Sequence, residues 1–344
     1  MSDNLSKDRA NSEEHTAAVS LGRFAAIDIG TVTCRLLIAD AFRGGISDKD
    51  TTIHISNIAK EYAVTNLGEG VDATRRLKSE AIDRVCEALS GFSRMIEACS
   101  NDGRPVCKVS VMSTSAARDA QNSDEFVERL AELGLSLDVI PGSKEAALSF
   151  SGATIKQAGV PAMVVDVGGG SAEVAIGIGG GQPMSSKSFD VGCRRVTERF
   201  FASDPPSPEE IDSARKWMRE QFEQWFSTAQ VKECMASDPM MIAVAGTATS
   251  AVSIRERMRV YDPERVDGAI VALDELRSIT EMLASMPVSA RENVVGLDPR
   301  RAPVIVAGMV ILEEIMLAAR RELFMASETD ILDGMILDLA KSAK

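Results

Sequence analysis

The sequence predicts an α/β protein of two related domains, and three observations lead there. At 344 residues, and roughly 150 residues per domain, the chain accommodates about two domains. Apolar residues make up 45% and charged residues 26%, the balance of a chain that buries a full core. The third observation is an internal repeat. Phe24-Ala-Ala-Ile-Asp28-Ile-Gly30-Thr31 runs on into Cys34-Arg35-Leu-Leu-Ile-Ala39, and Ala162-Met-Val-Val-Asp166-Val-Gly168-Gly169-Gly170-Ser171 runs on into Ala172-Glu173-Val-Ala-Ile-Gly177. Asp28 falls over Asp166 and Gly30 over Gly168. Each copy is an apolar strand ending in aspartate, a turn of small residues, and a second apolar strand.

The elements follow in order. Residues 1–20 are polar and charged, so a disordered tail is expected over 1–22, with domains at 23–150 and 151–344, the second with helical insertions and a last helix free to pack back on the first domain. Thr51–Val64 alternates β-branched and polar residues and predicts a strand. Ala73–Ser100 has helical spacing, with Leu77, Ile82, Val85, Leu89, Phe92 and Ile96 on one stripe. Lys108–Met112 is a short buried strand. Ser123–Leu133 reads as a helix with Ser123 as N-cap. Leu135–Ile140 is a strand closed by the Pro141-Gly142 turn, and Lys144–Gln157 a helix. After a proline-rich loop, Glu209–Gln224 is an amphipathic helix. Met240–Ala245 is a buried strand that leads straight into a helix. The last hundred residues read as mostly helical, with Pro303–Leu323 apolar on a broad face suited to core or to a homodimer contact.

Composition excludes several function classes. Six scattered cysteines with no CxxC pair suit free thiols in a reducing cytoplasm. Only His15 and His54 exist, which argues against histidine-bound zinc and Ser-His-Asp hydrolysis. A catalytic metal would be held by oxygen, so Mg²⁺ is expected, with Mn²⁺ as the alternative. The net charge of −13 argues against a nucleic-acid polymer as partner, while a local field in a cleft still admits an anionic small substrate. No apolar run reaches the ~18 residues a membrane helix needs and no signal-peptide pattern is read, so no membrane partner and a cytoplasmic location are expected.

The candidate chemistry begins at the two hairpins. Glycine lets backbone N–H groups approach an anion, and Thr31 or Ser171 adds a hydroxyl donor. An aspartate beside such a cradle would repel bare phosphate, but fits if it holds a cation that phosphate also touches. A lone Asp-x-Gly is as well read as a capped tight turn; two copies at matching positions favour the functional reading. The motif is neither a P-loop, which needs GxxxxGK[ST], nor a dinucleotide turn, because a strand follows the glycines. Glu173 opens an otherwise apolar strand, either as a metal contact or as an edge-strand charge. Arg118 follows a buried strand and is either a phosphate clamp or a surface partner of Asp119 or Asp124. Glu145 lies in a first helical turn, where an acid is ordinary dipole complementation or a general base for water. Gly246-Thr247 opens a helix and offers amides to an anion, or is a plain cap. Arg194, Arg195 and Arg199, with Arg255, Arg257, Arg259, Arg300 and Arg301, form either a basic track or ordinary solvated charges.

Together these residues resemble a family. The double Asp-x-Gly hairpin is similar to the actin, sugar-kinase and Hsp70 superfamily. Within it, AAIDIGT…RLLIAD, MSTSAARDA, VIPGSKEA, VVDVGGGSAE, FDVGCRRVTERF, AVAGTATS, YDPERVDG and GLDPRRAPVIVAG resemble the exopolyphosphatase and guanosine-pentaphosphate phosphohydrolase family, in order across about residues 23–340. The resemblance implies two actin-like (ribonuclease H-like) domains, mixed sheets flanked by helices with the active site in the cleft between them, and the short two-domain form of the family. It implies Glu145 as catalytic base and Arg118 as phosphate clamp. It assigns Asp166 and Glu173 to magnesium, with Asp28 through water. Gly30, Thr31, Gly168, Gly169, Gly170 and Ser171 would cradle phosphate, with Arg195, Gly246 and Thr247 beside them. Val32 and Thr33 stand where Asn-Ser is usual, Lys144 where an acid is common, and Asp267 where histidine is. Inorganic polyphosphate or guanosine pentaphosphate is the implied substrate. A superfamily kinase using ATP, or a non-catalytic sensor of a phosphorylated ligand, are the alternatives.

Overall fold

The structure is a computed structural model and describes residues 18–44, 52–101 and 103–343. Two mixed sheets carry the chain. The first contains β1 (Val19–Ile29), β2 (Thr33–Arg43), β3 (Ile53–Val64), β4 (Val106–Ser113) and β5 (Leu137–Val139), in the order β3-β2-β1-β4-β5. The helices around it are α1 (Val71–Thr74), α2 (Ser79–Ser100), α3 (Ser115–Asp119), α4 (Ser123–Glu132) and α5 (Gly142–Ala153). The second sheet contains β6 (Pro161–Val167), β7 (Ala172–Ile178), β8 (Pro183–Phe189), β9 (Met240–Val244), β10 (Ile270–Ala272) and β11 (Leu323–Ala326), in the order β10-β11-β9-β6-β7-β8. Its helices are α6 (Cys193–Phe200), α7 (Pro208–Phe226), α8 (Ala229–Met235), α9 (Ala245–Arg255), α10 (Pro263–Val266), α11 (Leu273–Ala284), α12 (Val288–Arg291) and α13 (Ile305–Ala318), with α14 (Ile331–Ser342) closing the chain.

The repeat in sequence is a repeat in topology. Each domain opens with an antiparallel three-strand meander whose first strand pairs in parallel with a later strand, β1 with β4 and β6 with β9. These central strands are apolar on both faces because both are covered, and Ala25–Ile29 and Ala162–Val167 are buried throughout. The hairpin turns close identically. Gly30 N–H donates to Thr33 O at 2.9 Å and Gly168 N–H to Ser171 O at 3.0 Å.

The chain returns to its first domain at the end. α14 leaves β11 of the second sheet and lays Ile331, Leu332, Met335, Ile336 and Leu339 on Phe24, Ala26, Leu37 and Leu148. It crosses α5 so closely that a Cβ at Gly334 would lie 2.0 Å from Leu148 O, which only glycine allows. The boundary near residue 150 thus falls inside α5.

Several boundaries differ from expectation. β1 starts at Val19, inside the segment 1–22 assigned to a tail; residues 1–17, with His15, lie outside the described residues. The helix expected from Ala73 begins at Ser79, because Arg75 turns left-handed at φ 55° and ends the single turn of α1. Asn122, not Ser123, precedes α4, and its amide side chain bonds both backbone groups of Leu77 instead of capping. The β5 strand is only Leu137–Val139 and α5 stops at Ala153. The apolar run to Leu323 is two elements: Arg320, at φ 54°, ends the helical stretch and β11 follows. Every residue from Ile305 to Met316 is buried, so the breadth of that apolar face reflects core. Among described helices none is long and apolar enough to cross a membrane.

Candidate active site

Both hairpin tips face one small cavity of about 60 Å³, lined among others by Asp28, Thr31, Glu145, Asp166, Gly168 and Gly246. Gly30, Gly169 and Ser171 complete its backbone cradle. The geometry follows from the register. Asp28 is the penultimate residue of β1 and Asp166 of β6, so each carboxylate ends an apolar strand beside its glycine turn.

Glu145 enters from the first turn of α5. Its Oε2 accepts from Arg118 Nη1 at 3.3 Å, and the same nitrogen donates to Ile140 O at 3.0 Å, which fixes the arginine at the end of α3. Arg118 therefore pairs with neither Asp119 nor Asp124. Burial pushes the Glu145 carboxyl up to about 8; Arg118 opposes this, and the charges of Asp166 and Asp28 add to it. Asp166 accepts from Ser149 Oγ at 2.8 Å, and burial raises its carboxyl to about 6 against the pull of Arg35. Glu173 lies on β7, between β6 and β8, so it is no edge-strand charge. It is 2% exposed and accepts from Ser188 Oγ at 2.6 Å. Burial, then Glu145 and Asp166, hold it well above the usual carboxylate range. Asp28 is raised by burial, its Oδ2 is held by Arg35 at 2.7 Å, and its Oδ1 is buried with no partner.

The donor set can be tested for a divalent cation. Among the described residues no three acidic, histidine or cysteine side chains converge as a closed metal cage. Magnesium does not need one, since it keeps several waters and takes one or two carboxylates plus substrate phosphate. An orphaned carboxylate oxygen on Asp28, and an Asp166 charge that raises both Glu145 and Glu173, suit a missing positive charge of this kind.

Other expected residues sit elsewhere. Arg195 turns from the cavity toward Asp72 and Asp119. Gly170 packs against Ser115 and Thr31 behind it. Thr247 is buried against Gly308 of α13, and Lys144 pairs with Asp138 at 2.9 Å in solvent. Val32, where the family pattern has asparagine, is 5% exposed and joins the apolar core of the second domain.

Residues 46–343 match the Ppx/GppA phosphatase family. The chain belongs to that family. Exopolyphosphatase 2 of Mycobacterium tuberculosis (strain H37Rv) is 35% identical over 334 residues, 94% of this chain and 100% of that protein. A bifunctional 3-dehydroquinate synthase/phosphatase of Fusobacterium nucleatum is 31% identical over 91% of this chain and 46% of its own. Among solved structures, the Aquifex aeolicus Ppx/GppA protein superposes with a TM-score of 0.73 at 26% identity, covering 94% of this chain and 99% of that one. An exopolyphosphatase-like protein reaches 0.81 at 30%, covering 95% and 99%. The domains of this Ppx/GppA phosphatase are accordingly actin-like, and the protein is a hydrolase.

Three residues of this phosphatase site escaped sequence reasoning. Arg35 joins Asp28 to Asp330 with two arms of its guanidinium. Its signal was available: a lone charge in an apolar strand, seven residues after Asp28 as Glu173 is seven after Asp166. Arg301, left between a basic track and a solvated charge, is enclosed where the small cavity meets a larger chamber, and burial lowers its tendency to stay protonated. Asp330 caps the last helix and had no sequence signal.

Proposed function

We propose that this chain removes the terminal phosphate from inorganic polyphosphate, with Glu145 activating the attacking water. The observation that carries the reading is Glu145 itself: a buried carboxyl, held by Arg118, facing a cavity walled by two glycine turns. The exopolyphosphatase name of the Mycobacterium tuberculosis relative supports the substrate. The water oxygen bonds to the terminal phosphorus, the bridging P–O bond breaks, the shortened chain leaves with the bridging oxygen, and the water proton goes to Glu145. The Gly30 and Gly168 amides close their own hairpins, so the next amides of the two turns, those of Thr31 and Gly169, would stabilise the equatorial oxygens. Asp166 and Glu173, with the free oxygen of Asp28, would hold Mg²⁺ or Mn²⁺, which when bound neutralises phosphate charge.

A second substrate is favoured by a specific feature. Through Arg35, Ala245, Gly246 and Arg301 the cavity continues into a chamber of about 790 Å³. Tyr62, Tyr261, Met258 and Val295 line it, and its charged residues are largely paired, Lys60 with Glu328 and Arg300 with Asp298. That lining would also seat the nucleoside of guanosine pentaphosphate, while Arg259 and Arg301 face the same chamber for a polyanion.

Phosphate release from long polyphosphate and from guanosine pentaphosphate, each with and without Mg²⁺, tests the proposal. Release without any acceptor or nucleotide supports hydrolysis. Release only with ATP and an acceptor makes the chain a kinase, and ligand-induced thermal stabilisation without release makes it a sensor.

A further inference from the structure

The small cavity adjoins the chamber along Arg35, Ala245, Gly246 and Arg301, and on another side it ends against a wall of Thr31 and Ser115. At the wall, Thr31 Oγ1 and Ser115 Oγ share a hydrogen bond of 2.9 Å. Gly170 presses on this pair so closely that an added Cβ would lie 2.3 Å from Ser115 Oγ and 2.8 Å from Thr31 Oγ1. Gly169 sits equally tight on Val32 and Thr31. Behind the wall only a crevice of about 10 Å³ remains, with Asp72, Asp119 and Arg195 among its lining.

Helix α6 holds this wall shut. The backbone N–H of Cys193 donates to Gly168 O at 2.9 Å and that of Arg194 to Gly169 O at 2.8 Å, so the helix is tied to the glycine loop of its own domain. Its side chains reach the other domain. Arg195, 8% exposed in its side chain, donates from Nε to Gly170 O at 2.8 Å and from its two terminal nitrogens to Asp72 and Asp119. Arg199 reaches Asp72 at 3.1 Å, and Arg194 bonds Asn66. Asp119 ends the same short helix that carries Ser115 and Arg118. One guanidinium thus pins the glycine loop of the second domain to the helix of the first that carries Ser115 and Arg118.

We propose that Arg195 is a positioning residue that keeps the rear wall closed and thereby confines hydrolysis to chain ends, an inference that rests on the polyphosphate reading above. A linear polyanion entering from the chamber advances only until its last phosphate meets the wall, and the bond then under Glu145 is the terminal one. A site open at both sides would let the chain thread through and present internal bonds. Removing the guanidinium unties Gly170 O from the first domain and leaves the part-buried Asp119 without its cation and Asp72 with Arg199 alone, so the wall parts.

The test counts new chain ends per phosphate released from long polyphosphate with Mg²⁺, by gel sizing together with phosphate assay on the full chain. The unaltered protein releases phosphate with no intermediate fragments before a tenth of the substrate is consumed. Arg195→Met gives fragments of scattered length in that interval, at several new ends per ten phosphates released, and Arg195→Lys, which cannot bridge both acids, falls between. If Arg195→Met lacks a cooperative melt, the pair Asp72→Asn and Asp119→Asn reads the same wall and must also give fragments. A folded variant that releases phosphate without new ends, or that only raises KM as the loss of a phosphate ligand would, overturns the proposal and leaves the substrate reading standing. No release from polyphosphate by the unaltered protein overturns the substrate reading, and this proposal with it.

Discussion

In the first hairpin Asp28 stands across the ladder from Arg35; in the second, at the same register, Asp166 stands across from Glu173. The strands, the turn hydrogen bonds and the terminal aspartates are otherwise shared. One charge therefore separates two tasks. The first tip carries a near-neutral pair, and Arg35 also holds Asp330 at the start of α14, so that tip is tied into the fold. The second tip concentrates negative charge, raised well above the usual carboxylate range at Glu173, and that charge asks for a cation. The two turns share their backbone closure, and a single cross-strand residue sets their charge: Arg35 neutralises the first, and under the proposed function the second would meet the metal.

Glu145 feels both hairpins, since Asp166 and Asp28 each push its carboxyl upward, so it is where their comparison is tested most severely. Glu145→Gln keeps shape and burial but cannot take a proton. Turnover should fall by ~10²–10⁴, with KM changed little, in steady-state phosphate release. Unchanged turnover would remove the shared base and leave the hairpins without a common purpose.

The hairpins themselves should then respond with opposite signs. Arg35→Met strands Asp28 and Asp330, which are buried and would lose their cation, so the protein should lose about 3–5 kcal/mol by denaturant unfolding. Glu173→Gln removes one of several mutually repelling acids, so the metal-free protein should melt higher than the unaltered one, while Mg²⁺ affinity by titration drops ~10–100-fold. Two variants that shift stability in the same direction would mean that the cross-strand residue does not divide the tasks.

Much of this contrast was legible in the sequence, and the remainder was not for physical reasons. Continuous apolar runs ending in Asp-x-Gly are local, and they occur twice, so the sheets and tips were readable from Asp28 and Asp166 alone. The pairing of Arg118 with Glu145 spans two elements that no local pattern relates. Asp330 meets Arg35 only because α14 returns to the first domain, and nothing in Asp330-Ile-Leu-Asp333 announces more than a helix start. Arg301 looked solvated because it follows Arg300, yet Arg300 lies on Tyr62 at the surface while Arg301 turns inward against Gly246. Short strands such as β11 vanish inside apolar helical runs when the break is a left-handed Arg320 and not a glycine or proline.

The smallest effect expected is a pH-dependent gain from magnesium, and it isolates the second hairpin. Without a cation the folded protein keeps protons on Asp166 up to about pH 6 and on Glu145 up to about pH 8, and Glu173 is raised as well. The unfolded chain releases the same protons near the ordinary carboxylate values of about 4. Over that interval the native state binds more protons than the unfolded one, so these groups favour folding at low pH and lose that contribution as pH rises through 6 and then 8. Groups shifted the other way, such as Asp40 and Asp330, lie below the usual carboxylate range and are silent there. A bound dication replaces the protons and stabilises the native state in proportion to its affinity. The rise in Tm on adding Mg²⁺ should therefore be larger at pH 8 than at pH 6, by a few degrees in a thermal-shift titration, and Glu173→Gln should reduce the difference. A rise that is equal at both pH values, or larger at pH 6, would show that the acids around Asp166 are not what the cation meets.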